Sequence, residues 1–83
     1  MSNYPYISII GKHGCPYTVR AIQACNTHNL PYATTYVTPE QARQTMEYYK
    51  HYTLPIVTLR YPYDEEFIGG SDNLVEFIDE TMV

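Results

Sequence analysis

The stretch HGCPYTVRA at positions 13–21 sets a single cysteine, Cys15, directly before a proline. Three residues on, where a two-cysteine redox motif carries its second thiol, stands Thr18. The chemistry this pattern supports is attack by a thiolate. Pro16 suits the first position of a helix, where its missing N–H is not needed, so Cys15 precedes a helix start. Free backbone N–H groups and the helix dipole favour an anion there. Lys12, three residues upstream, adds positive charge, and thiols in such surroundings ionise below the free value of ~8.5. Cys15 is therefore the candidate nucleophile. The second cysteine, Cys25, lies ten residues along the expected helix, ~15 Å away and beyond the ~7 Å Cα separation that a disulfide tolerates. It is expected in the core.

The elements that must position Cys15 follow from switches in hydrophobic period. YISII at 6–10 is a β-branched run ended by Gly11. Helix one opens at Pro16, places Val19, Ile22 and Cys25 on one face, and stops around His28 to Leu30, before Pro31. A second strand runs from Tyr32 to Val37. Thr38, Pro39, Glu40 and Gln41 form a capping-box pattern, and helix two continues to about Lys50 with Ala42, Met46 and Tyr49 inward. IVTLR after Pro55 and a short stretch near 66–68 read as an antiparallel hairpin. Gly69 and Gly70 end it, and Ser71 is the expected N-cap of a last helix packed through Leu74, Val75, Phe77 and Ile78. The order is βαβαββα, an α/β fold with a central four-stranded mixed sheet flanked by helices. Strands one and two are parallel across a right-handed crossover, which sets Cys15 at the carboxyl edge of the sheet, where ligand sites of α/β folds gather.

Composition narrows the rest. A chain of 83 residues with 45% hydrophobic content suits one domain, 1–83. A net charge of −4 argues against nucleic acid, whose phosphates require an excess of Lys and Arg. Residues 1–10 lack the pattern of a signal peptide, and no apolar run approaches the ~20 residues that span a bilayer. The expectation is a cytoplasmic protein with no membrane association. His13, His28 and His51 share no metal-ligand spacing, so no metal site is expected. Glu65, Glu66, Asp79 and Glu80 read as a solvated face, and the ten tyrosines as packing and surface cover.

Three motifs, KHGCPYT at 12–18, TLP at 53–55 and IGGSDNL at 68–74, together resemble glutaredoxin in order and spacing, over nearly the whole chain. The resemblance implies a thioredoxin-like fold in which Cys15 forms a mixed disulfide with glutathione. It implies a cis peptide before Pro55 in the Thr53–Leu54–Pro55 turn, with the Leu54 backbone pairing with the glutathione cysteine. Lys12 matches the family lysine that faces the glycyl carboxylate, and Tyr17 lies alongside the sulfur. Gly69 and Gly70 allow close approach, and the N–H groups of Ser71 and Asp72 at a helix start suit the γ-glutamyl carboxylate. The carboxylate of Asp72 suits the ammonium. Lys50 or His51 stands where family members often carry Arg or Gln.

CPYT instead of CPYC removes the resolving cysteine at position 18. The resemblance then implies a monothiol, glutathione-dependent oxidoreductase, with glutathione as co-substrate and glutathionylated proteins or small mixed disulfides as partners, acting as a monomer. Two alternatives stand beside it. One is a carrier of a glutathione-ligated [2Fe–2S] cluster, against which Pro16 counts, because cluster-binding members place a flexible glycine there. The other is an electron donor to an enzyme such as ribonucleotide reductase, against which Thr18 counts, because two-electron donation to a protein disulfide calls for both cysteines.

Overall fold

The β-branched run at the start of the chain becomes the central strand of the computed structural model, which describes residues 5–82. The reading of the first residues as no leader falls partly on 1–4, outside the described residues. The elements are β1 (Tyr6–Gly11), α1 (Pro16–Thr27), β2 (Tyr32–Tyr36), α2 (Pro39–Tyr49), β3 (Ile56–Arg60), β4 (Glu65–Gly69) and α3 (Ser71–Met82). Their order is the one expected. The strands form one sheet in the order β2-β1-β3-β4. β1 and β2 are parallel across α1, with Ile7 opposite Tyr32 and Gly11 opposite Tyr36. β3 runs antiparallel to both β1 and β4.

Strand side chains alternate between faces, so the sheet has two distinct surfaces. Ile7, Ile9 and Val57 point to one side and meet Ala21 and Cys25 of α1 and Leu74 and Ile78 of α3 in the main core. Each of the Ile, Val and Leu side chains so removed from water contributes about 1.5–3 kcal/mol. Ser8, Thr58 and Ile56, which alternate with them, are buried on the other side. There α2 touches the sheet through Tyr49, whose ring stacks on Phe67 of β4 at 5.6 Å between centroids. Its hydroxyl donates to Glu65 at 2.6 Å.

The helix signals in the sequence are met at α2. Thr38 accepts from the Gln41 N–H at 3.2 Å, and the Gln41 side chain accepts from the Thr38 N–H at 2.9 Å, a complete capping box. Lys50 closes that helix in the left-handed conformation, at φ 56°.

Two local expectations are corrected. Val19 is not inward: it is 47% exposed, and the buried face of α1 is Thr18, Ala21 and Cys25. Repeated steps of three drift backwards around a 3.6-residue turn, leaving Val19 ~120° from Cys25, whereas steps of three and then four stay on one face. Ser71 is not the N-cap of α3 but its first residue, buried at 5% exposure. The cap is Gly70, whose carbonyl accepts from the Leu74 N–H at 3.0 Å, while the Asn73 side chain accepts from the Gly70 N–H at 3.0 Å. Three residues on from the cap, Asn73 does the work a Glu or Gln does in a capping box.

α1 approaches β1 most closely at Gly11, where a Cβ would lie 2.3 Å from Oγ1 and 2.6 Å from Cγ2 of Thr18. Thr18 is buried and β-branched, so it has little room to yield. Gly11→Ala is expected to destabilise the fold by about 1–3 kcal/mol. The measurement is a lower denaturant midpoint at unchanged slope.

Candidate functional site

Cys15 is the N-cap of α1, at φ −83° and ψ 117°, with Pro16 following and no acidic residue in the first turn. The loop that delivers it turns at Gly14, whose φ of +79° suits glycine. His13 stacks on Tyr36 at the end of β2, with ring centroids 3.8 Å apart and planes at 15°, tying the loop to the sheet. The Cys15 N–H reaches the Lys12 carbonyl at 3.4 Å, and the Cys15 carbonyl accepts from the Val19 N–H at 3.2 Å. Only 9% of Cys15 is exposed, yet few atoms surround it, so the sulfur lies under a thin cover rather than in the core.

Burial pushes the Cys15 thiol up, but four effects outweigh it and leave it below the ordinary thiol value: the Thr18 hydroxyl, the N–H groups of Thr18 and Tyr17, and the charge of Lys12. The folded state therefore favours the thiolate. Its contribution to stability is present above the ordinary thiol range and fades as pH falls through the lowered native value. Cys25 behaves oppositely. Burial raises it to about 11, so its contribution holds at lower pH and is lost as pH rises from the ordinary thiol range toward that value. Both cysteines are free thiols.

Beside Tyr17 opens a cavity of about 340 Å³ lined by Tyr17, His51, Thr53, Leu54, Gly70, Ser71, Asp72 and Asn73. Six sequence-predicted residues from three segments thus meet on one wall. Cys15, Lys12 and Pro55 are not among the residues that line it. Lys12 stands exposed on the Cys15 loop, and Pro55 is fully buried after a cis peptide at Leu54–Pro55. His51, weighed in the sequence, does line it, with its Nε2 3.0 Å from the Thr53 hydroxyl and its ring edge-on to Phe67. Asn73 and Arg20 were missed. Arg20 of α1 pairs with the carboxylate of Asp72 at the start of α3. The spacing of Gly70 and Asn73 was a legible signal, whereas nothing local links positions 20 and 72.

A larger hollow of about 530 Å³ opens at the opposite end of the sheet, between Tyr6, Tyr48 and the 60–65 segment. It lies away from Cys15, whereas the smaller cavity is lined by Tyr17, two residues after the thiol, and by the 53–54 and 70–72 segments, so the chemistry is placed there. Among the described residues, no group of three or more His, Cys, Asp or Glu could hold a metal ion, and no helix is long and apolar enough to cross a membrane.

A four-stranded mixed sheet with three helices, carrying a single activated thiol at a helix start, defines a thioredoxin-like protein. The chain belongs to the family described as glutathione S-transferase, N-terminal domain, whose model matches residues 9–82. It is also similar to solved glutaredoxins. One is the solution structure of glutaredoxin from Brucella melitensis, at 21% identity and TM-score 0.68, covering 96% of this chain and 85% of that one. Another is the dithiolic glutaredoxin 2-C-Grx1 of Trypanosoma brucei brucei, at 26% identity and TM-score 0.67, covering 92% and 78%. No curated protein sequence matches the chain. These likenesses bear out the resemblance seen in the three motifs and support a function of the thiol–disulfide oxidoreductase type.

With the folded chain, an alkylating reagent should label Cys15 and spare Cys25, and the pH midpoint for Cys15 should fall below that of the unfolded chain. Lys12→Glu should move this midpoint upward. Labelling followed by peptide mass mapping across a pH series measures both.

Proposed function

We propose that this protein is a glutathione-dependent thiol–disulfide oxidoreductase that works by a monothiol mechanism. The observation that carries the reading is one thiol favoured as its thiolate at the start of α1, with threonine at position 18, beside a cavity whose walls suit a γ-glutamyl peptide. Glutathione has two carboxylates and one ammonium. The N–H groups of Ser71 and Asp72, in the first turn of α3, take the γ-glutamyl carboxylate, and the side chain of Asp72 takes the ammonium. The Leu54 backbone, in the Thr53–Leu54–Pro55 turn, pairs with the glutathione cysteine. Gly70 permits the close approach, Tyr17 flanks the sulfur, and Lys12 draws the glycyl carboxylate.

The Cys15 thiolate attacks the glutathione sulfur of a mixed disulfide, and the substrate leaves as a thiolate that takes a proton from water. A second glutathione thiolate then attacks the sulfur of glutathione on Cys15, releasing oxidised glutathione and regenerating the Cys15 thiolate. Lowering the Cys15 pKa raises the thiolate fraction while reducing its nucleophilicity, so attack gains little. Release gains more, because an acidic thiol is the better leaving group.

The test is a glutathione-coupled assay on a small mixed disulfide. Cys15→Ser should abolish turnover, and oxidised glutathione should add a single glutathionyl group to the wild type, mapped to Cys15. Modification chiefly at Cys25 would overturn the reading. The family description also names glutathione transfer, and the same cavity would hold glutathione for attack on an electrophile. Cys15→Ser separates the two, since conjugation uses the thiolate of glutathione itself and survives the change.

Thr18→Cys should create a dithiol enzyme. Side chains three apart on a helix stand ~5–6 Å apart between Cβ atoms, within reach of a bridge once the first turn adjusts. Reduction of protein disulfides should rise while turnover of glutathione mixed disulfides stays level or falls. Both assays, with non-reducing mass analysis for the 15–18 bridge, measure this.

A further inference from the structure

β2 (Tyr32–Tyr36) is one edge of the sheet, and among the described residues no strand lies against its outer side. In an extended strand the N–H and C=O of one residue point to one side and those of the next residue to the other. The Ile7 N–H reaches the Pro31 carbonyl and the Val37 N–H reaches the Gly11 carbonyl, both at 2.9 Å, so Ala33 and Thr35 between them also face β1. Tyr32, Thr34 and Tyr36 therefore turn their N–H and C=O groups outward, where no described residue receives them. Proteins ordinarily blunt such an edge with charge, proline or a bulge. β2 has none of these. From Ala21 to Pro39 no Asp, Glu, Lys or Arg occurs, in a chain that is 17% charged. The opposite edge, β4, is guarded: it carries Glu65 and Glu66, and its ladder with β3 is irregular between Val57 and Thr58.

We propose that β2 is a dimer interface on which a second copy of this chain pairs antiparallel, with the two-fold axis passing through Thr34. The strand YATTY is close to its own reverse. Pairing centred on Thr34 sets Tyr32 against the partner's Tyr36, Ala33 against the partner's Thr35 and Thr34 against the partner's Thr34. The outward-facing residues then stand opposite one another, and each such pair exchanges both of its backbone bonds. Centring on Ala33 or Thr35 instead sets Tyr36 or Tyr32 opposite a residue beyond the strand. Cross-strand tyrosine pairs add to the association, and the exposed Ala33 and Thr35 bring no charge to it. Two copies with a net charge of −4 each repel, so they approach at least cost along this uncharged edge. The dimer replaces the monomer implied by the family resemblance. β2 contributes no residue to the cavity beside Tyr17, which stays open in each copy. Tyr36, 44% exposed and stacked on His13 of the Cys15 loop, gains cover from the partner's Tyr32.

Sedimentation equilibrium over about 1–1,000 μM, in salt that screens repulsion beyond ~8 Å, measures the association. A short two-strand ladder is a small interface, so the wild type should dimerise with a dissociation constant on the order of 10–100 μM. Ala33→Lys combined with Thr35→Lys sets lysine opposite lysine on both sides of the axis and should weaken association about tenfold. Ala33→Lys combined with Thr35→Glu sets lysine opposite glutamate at the same places and should restore association to within about threefold of wild type. Both positions are exposed, so each variant keeps the fold. By hydrogen exchange, the amides of Tyr32, Thr34 and Tyr36 should exchange several-fold more slowly at the highest concentration than at the lowest, while those of Ala33 and Thr35 stay protected throughout. A wild type that remains monomeric over the whole range overturns the proposal. So does a dimer that is indifferent to the charge pairing, or one in which those three amides exchange at the monomer rate, because it uses another surface. None of these measurements involves glutathione, so the outcome is independent of the oxidoreductase reading.

Discussion

The site depends on how closely α1 can approach the end of β1. The start of the helix must lie against the sheet for Tyr17, two residues after Cys15, to share a cavity with the segments around positions 54 and 71, and a side chain at Gly11 would hold it away. Thr18 occupies that gap. One contact between a residue without a side chain and a β-branched one therefore sets the depth of the helix, the thin cover over the thiol and the direction of the helix N–H groups. The His13–Tyr36 stack anchors the preceding loop to the neighbouring strand, so the N-cap is restrained from both sides.

A chain with a net charge of −4 does not stabilise anions by summed charge. Local dipoles do so instead. α1 presents its first N–H groups to Cys15, and the first turn of α3 lines the adjoining cavity. The Arg20–Asp72 pair links these two helix starts. Both side chains are largely exposed, so the pair adds little to stability. Its consequence is positional: the carboxylate nearest the cavity already faces a cation from the helix that carries the thiol.

The other face of the sheet supports the cavity indirectly. Glu65 accepts from Tyr49 and pairs with Arg60 at 2.7 Å, and burial followed by the neighbouring Glu65 pushes the Tyr49 hydroxyl up to about 12. Tyr49 stacks on Phe67, and Phe67 meets the ring of His51 at 5.5 Å. His51 in turn touches Thr53 in the cavity wall. A line of packed rings thus runs from α2 through β4 to the turn before β3. It gives the exposed Phe67, on the side away from the main core, a part in holding that turn.

Much of this was legible in the sequence because it is encoded locally. Alternation and periodicity marked all seven elements, Pro16, Thr38 and Gln41 marked helix starts, and Cys15 stood out by its neighbours alone. The misplacements have equally local causes: Val19 followed a spacing that drifts around the helix, and Ser71 drew the cap from Gly70 because the preference for serine ignores a backbone carbonyl. What no local pattern carried is which distant residues meet. Arg20 finds Asp72 only when two helices end at the same edge of the sheet, and His51 enters the cavity wall because Phe67 lies beneath it. Thr18 is the clearest case. By sequence it is a cysteine position left empty of chemistry, and only its burial against Gly11 leaves its hydroxyl without a partner. A one-dimensional pattern specifies which face of an element is apolar, but the desolvation and orientation that give a polar group its chemistry arise only when that face is packed against another.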